Sequence, residues 1–206
     1  MMIDITRPLT ESIYVYDGDP CFKTEKVLSI QRGDICNVAF LQMGTHTGTH
    51  IDAPKHFFND SMDILSLPLD CFCGKAKVFD IQTTHDISEA ELYNKNIEEN
   101  DIILFRTSNI RFDGINSLVD YSALTPDAAT YLLKKKIKLV GIDYLSIESS
   151  TSNTYYIHKI LLRNNIPILE NIDLKDVAEG IYKLYCFPLA IHDGDASPVR
   201  AVLETI

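Results

Sequence analysis

The chain has no tryptophan, no C-x-x-C pair and no apolar run approaching the ~18 residues of a membrane-spanning helix, and each absence closes off a class of protein. Its five cysteines, Cys21, Cys36, Cys71, Cys73 and Cys186, are odd in number and too irregularly spaced for a zinc knuckle or redox pair, so reduced and buried thiols are expected. Positive charge is scarce. Lys and Arg number 19 against 29 Asp and Glu, a net charge of -10 that repels a phosphate backbone and argues against nucleic acid as a partner. Glycine (9) and proline (8) are sparse, and no Ser/Gly linker, repeat or low-complexity tract interrupts the 206 residues, so one domain spanning 1–206 is expected. Asp4 and Arg7 break the apolar core that a secretory peptide would need, which points to a cytoplasmic protein with no membrane association.

What is present is a series of short apolar, β-branched runs bounded by Gly, Pro, Asp or Asn: 12–16, 26–30, 35–43, 76–81, 102–106, 137–142, 166–169, 184–191 and 199–203. Three helix starts stand among them. Ser88 precedes Glu91 in a capping-box pattern, Thr125-Pro126-Asp127 offers a cap and an N-terminal proline, and a third helix follows Asn153 or Thr154 and carries Tyr155 to Leu162. Strands thus outnumber helices in an α/β fold with a mixed sheet. The four lysines of 134–138 read as a solvated helix end.

The densest chemistry lies in His46-Thr47-Gly48-Thr49-His50-Ile51-Asp52-Ala53-Pro54-Lys55-His56. Glycine, proline and β-branching make this a poor helix. In an extended chain His46, His50, Asp52 and His56 would project to one side, with Gly48 leaving a gap between imidazoles. Two neutral imidazoles and a carboxylate form a three-ligand set that leaves a coordination position free for water. His85 and His192 sit in polar turns; His85 reads as a surface group, and His192 as a surface group or one that supports the site from behind its ligands. His158, beside Tyr155, Tyr156, Leu161 and Leu162, reads from spacing alone as a packed core-edge histidine rather than a ligand, and Glu170 as a carboxylate closing a buried strand.

The segment His46–Phe57 resembles the signature of the cyclase family of metal-dependent hydrolases, whose enzymatic members include the bacterial kynurenine formamidases. Ile3–Leu9 with Asp17–Pro20, Ile103–Thr107, Val140–Asp143 and Asp195–Val202 resemble further family blocks in the same order. The resemblance implies a swivelling β/β/α-type fold, a homodimer or larger assembly, a small-molecule substrate, and one or two divalent ions per chain, zinc or manganese. It places His46, His50 and Asp52 on a first ion, Asp52, His158 and Glu170 on a second, and His56 as the acid/base. It also implies hydrolysis of an aryl formamide such as N-formylkynurenine, with a cyclic amide, imide or lactone as the other substrate class. A non-catalytic metal- or ligand-binding protein is a third reading, against which the retained His56 argues. Where kynurenine formamidases carry tryptophan ahead of a Gly-Asp pair, this chain has Tyr16 and Asp17, which makes Tyr16 a candidate substrate contact.

Overall fold

A computed structural model describes residues 1–81 and 86–206, so His85 lies outside the described residues. Nine strands form one mixed sheet: β1 (Met2–Asp4), β4 (His50–Asp52), β5 (Cys73–Ile81), β6 (Ile102–Thr107), β7 (Leu139–Ile142), β8 (Ile168–Glu170), β9 (Gly180–Tyr185), β10 (Ala196–Pro198) and β11 (Val202–Thr205), with β2 (Lys23–Leu28) and β3 (Val38–Gln42) paired apart as a hairpin. The order across the sheet is β1-β11-β9-β5-β6-β7-β8-β4-β10. Strands β5 to β8 run parallel, and β4 and β10 continue the sheet antiparallel beyond β8.

The three described α-helices start at the expected signals. Helix α1 (Glu89–Tyr93) is closed by the reciprocal Ser88–Glu91 capping box, and α2 (Pro126–Lys134) has its proline in the first turn. Helix α3 (Tyr156–Arg163) begins after Tyr155, which is held at φ 51. Alternation along the central strands divides the apolar residues between two cores. Ile51, Leu104 and Leu169 belong to one; Ile103, Ile168 and the helix residues Ala128, Ile157 and Leu161 belong to the other. The fold is the expected α/β architecture of mixed sheet and few helices.

Several elements differ from expectation for identifiable reasons. Residues 12–16 form a loop, with Ile13 alone buried among them, in which Tyr14 N–H donates to the Gly114 carbonyl rather than to a neighbouring strand. The run 184–191 is strand only to Tyr185, ahead of Pro188, and its true start at Gly180 is hidden by the alternation of exposed Ile181 and Lys183 with buried Tyr182 and Leu184. Of the cysteines, all free, Cys186 is buried whereas Cys21 and Cys36 are exposed, because both flank or belong to the outlying hairpin region. The lysine-rich segment does end a helix: Lys136 adopts φ 54 and approaches Glu99, and Lys138 reaches back to the Cys73 carbonyl. No helix among the described residues is long and apolar enough to cross a membrane.

Candidate functional site

Strand β4 is the foundation. Ile51 turns into one core, so His50 and Asp52 both face the opposite, helix-covered side of the sheet. The antiparallel register sets His50 directly opposite Glu170 of β8, which brings the two side chains to the same face. Helix α3 packs over that face and presents His158, while His46 comes from the turn before β4. His56 ends a 3₁₀ turn, Pro54–His56, in which proline starts the turn and lifts the chain out of the strand.

The motif is therefore not one extended row. Only His50 and Asp52 alternate along a strand; His46 and His56 reach the site from turns at its two ends. Gly48 has a different purpose from the expected gap. It adopts φ +69, and a Cβ there would lie 2.7 Å from Leu9 Cδ2, so glycine serves a left-handed turn under close packing.

Six of the predicted residues, His46, His50, Asp52, His56, His158 and Glu170, line a cavity of about 250 Å3, together with Tyr16. His46, Asp52 and His56 bring donor atoms within 4.8 Å of one another, and so do His50, Asp52 and Glu170, with Asp52 common to both sets. The grouping differs from the one the resemblance implies, because the β4–β8 register gives Glu170 to His50. His158 Nε2 completes the ring at 3.3 Å from Glu170 Oε1 and 3.9 Å from Asp52 Oδ2. Its burial matches a core-edge histidine, yet its ring edge is spent on carboxylates.

The partners of the imidazoles fix their tautomers, since a carbonyl or carboxylate oxygen can only accept. His50 Nδ1–H donates to the Gly48 carbonyl at 2.8 Å, and His158 Nδ1–H donates to Glu148 Oε2 at 2.8 Å. His46 Nε2–H donates to Asp195 Oδ2 at 3.0 Å. The remaining nitrogens face anionic oxygen: His46 Nδ1 lies 2.9 Å and His50 Nε2 3.3 Å from Asp52 Oδ1. A neutral imidazole would aim a lone pair at a carboxylate there. His50 Nε2 and both Asp52 oxygens are buried without a hydrogen-bond partner. Buried polar atoms are rarely left so. Cations held by these nitrogens and oxygens would relieve the conflicts, and an imidazole–carboxylate donor set fits a divalent ion.

Without such a cation, protons take its place. Burial opposes charge on each imidazole, but the carboxylates outweigh it: His46 is pushed up to about 9 by Asp52 and Asp195, His50 to about 10 by Asp52 and Glu170, and His158 to about 10 by Glu148 and Glu170. Asp52, although buried, is held well below the usual carboxylate range by His46 and His50.

Two residues of this constellation escape a reading of the sequence motif. Glu148 holds His158 through its ring and backbone nitrogens and accepts from Ser152 Oγ at 2.6 Å. Asp195 accepts from Thr45 Oγ1 and His46. Asp195 does head a recognisable block, 195–202, but its role depends on the β4–β10 pairing that sets Ala196 against Asp52. Aromatic rings complete the cavity: Phe57 lies 5.5 Å from Tyr155 and 5.4 Å from His158 between centroids. His192 is exposed, as expected.

Comparison with known proteins places this geometry. A kynurenine formamidase from Bacillus mycoides is 38% identical over 205 residues, 99% of this chain and 97% of the relative. A predicted metal-dependent hydrolase from Bacillus stearothermophilus superposes with a TM-score of 0.85 at 32% identity, covering 98% of this chain and 97% of the other. Isatin hydrolase A from Labrenzia aggregata shares the fold, with a TM-score of 0.89 at 21% identity over 98% of this chain and 93% of the other. The family model described as "Putative cyclase" matches residues 3–149, and the chain belongs to the cyclase family.

Proposed function

We propose that residues 1–206 act as a single metal-dependent hydrolase unit that cleaves the carbon-nitrogen bond of an aryl formamide, N-formylkynurenine being the substrate of choice. The observation that carries this reading is one cavity that joins a cation-fitting donor set, His46, His50, Asp52, His158 and Glu170, to an aromatic wall of Tyr16, Phe57 and Tyr155, with His56 beside both. Full-length similarity to a kynurenine formamidase supports the same substrate. Zinc is the preferred ion and manganese the alternative, one or two per chain. A homodimer or larger assembly in the cytoplasm is the proposed setting.

The division of labour follows from the side chains. Asp52 and Glu170 supply negative charge where a cation would sit, and the fixed imidazoles supply neutral nitrogen. A divalent cation bound there would polarise the formyl carbonyl and lower the pKa of a water molecule from 15.7 toward ~7. The aromatic wall takes the aryl ring and holds the formyl group over the donor set. His56 takes a proton from the attacking water and gives it to the amine as the carbon-nitrogen bond breaks, so that water oxygen ends in formate and the proton on the aryl amine.

The test is hydrolysis by protein loaded with zinc or manganese, read as formate release from a small panel of aryl formamides and as ring opening of cyclic imides and lactones. Formate from N-formylkynurenine is the expected result. Hydrolysis of a ring substrate with no turnover of any formamide would overturn the substrate assignment.

A further inference from the structure

The Asp195 carboxylate stands between two histidines of different duty. Its Oδ2 lies 3.0 Å from His46 Nε2 and 3.6 Å from His56 Nδ1, and its Oδ1 accepts from Thr45 Oγ1 at 3.0 Å. The two imidazole rings lie 4.1 Å apart between centroids and are tilted by 44° to each other. Asp195 is itself anchored: its carbonyl accepts from Ala53 N–H at 2.9 Å, and the next residue, Ala196, is the β-partner of Asp52. Strand β10 thus docks onto β4 and delivers a carboxylate to both ends of the histidine motif.

Building on the metal-dependent reading above, we propose that Asp195 is a shared positioning residue that fixes the His46 tautomer for cation binding and orients His56 for proton transfer. Because a carboxylate accepts only, Asp195 holds the proton of His46 on Nε2 and leaves Nδ1 for the site. The same oxygen faces His56 Nδ1 at 3.6 Å, where its negative charge favours a proton on that nitrogen and leaves Nε2 for proton transfer. Outer partners of this type fix ring orientation and ligand basicity, and their loss weakens metal binding by about 10- to 100-fold. Asp195 touches neither cation nor substrate in this arrangement. It acts through the two rings.

Two measurements test the assignment. The first needs no variant: nitrogen-15 NMR of wild-type protein loaded with zinc should show the His46 proton on Nε2, and a proton on Nδ1 would overturn the proposal. The second uses Asp195→Asn, which preserves side-chain volume. Zinc affinity, measured by competition with a chelator, should fall by about 10- to 100-fold. At saturating zinc, kcat for formamide hydrolysis should fall with little change in KM, and the same substitution in a His56→Ala background should leave kcat no lower than His56→Ala alone. Unchanged zinc affinity with an unchanged His46 tautomer overturns the role at His46. A full additional loss of kcat in the His56→Ala background overturns the role at His56. Wild-type protein that binds no divalent ion would instead sink the metal-dependent reading itself, whereas zinc binding without formamide hydrolysis would sink the substrate and leave the tautomer result standing.

Discussion

His50 and Glu170 are direct cross-strand partners, and His50 Nε2 comes within 3.5 Å of Glu170 Oε2 although neither is exposed to water. A register of three residue pairs between β4 and β8 therefore decides which carboxylate meets which imidazole. A slip of β4 by one residue would send His50 and Asp52 toward the apolar core on the other face and leave Glu170 without its partner.

Removing a residue from the donor set should remove the ion. His46→Ala and Asp52→Ala are expected to lose bound metal and turnover together, read by metal analysis and activity on one preparation. For His46→Ala the thermal shift that added metal gives the wild type should vanish, because an ion that binds only the folded state stabilises it by mass action. Full metal content in either variant would refute the ligand assignment.

His56→Ala should behave differently. Metal content is expected to stay near the wild-type level while single-turnover hydrolysis falls by roughly 10²–10⁴, the usual contribution of a positioned proton-transfer group. Loss of metal along with activity would make His56 a ligand, which its proximity to His46 and Asp52 permits.

The histidine network should tie metal uptake to pH. With His46 raised to about 9 and His50 and His158 to about 10, the metal-free site holds extra protons at neutral pH that a cation must displace. Metal binding at pH 7 should release protons in unbuffered solution, and affinity should climb as pH rises from 6 to 9. The sign for stability of the metal-free form is the reverse. Folded pKa values above the ordinary 6.5 stabilise fully below that value and lose their contribution as pH rises through 9 to 10. Metal-free protein should melt lower at pH 10 than at pH 7, and a flat profile would argue against the proposed proton occupancy.

Gly48→Ala should destabilise the fold without removing a donor atom. A Cβ at φ +69 is strained and would meet Leu9 Cδ2 at 2.7 Å. The left-handed conformation alone costs roughly 1–2 kcal/mol, which for a chain of this size lowers Tm by several degrees in a thermal melt. An unchanged Tm would mean that Leu9 moves aside at no cost.

Much of the site is legible in the sequence because its chemistry is local. His46, His50, Asp52 and His56 lie within eleven residues, and the alternation of His50 and Asp52 about apolar Ile51 already signals a strand with one reactive face. His158 was not legible from spacing, since a histidine among leucines on a helix has the same pattern whether it packs or binds. The family resemblance singles His158 out, and the docking of α3 over β4 and β8 gives the physical reason. The roles of Glu148 and Asp195 are hidden for a related reason: Glu148 sits in an ordinary polar loop, and Asp195, although it heads a recognisable block, reaches His46 only through the pairing of β10 with β4. At Gly48 the expected gap does not arise, because glycine offers both a missing side chain and a free backbone, and it is the left-handed backbone that the fold uses.

The pairing of β10 with β4 also sets an order of events in the life of the chain. Asp195 meets His46 across 149 positions, so during synthesis the histidine-rich motif exists for most of the polypeptide's length without the carboxylate that holds its ring. Contacts of such long sequence separation close late. On the metal-dependent reading proposed above, a cation that met the growing chain would find flexible donors and no fixed tautomer, so loading with metal would follow the arrival of the distant segment.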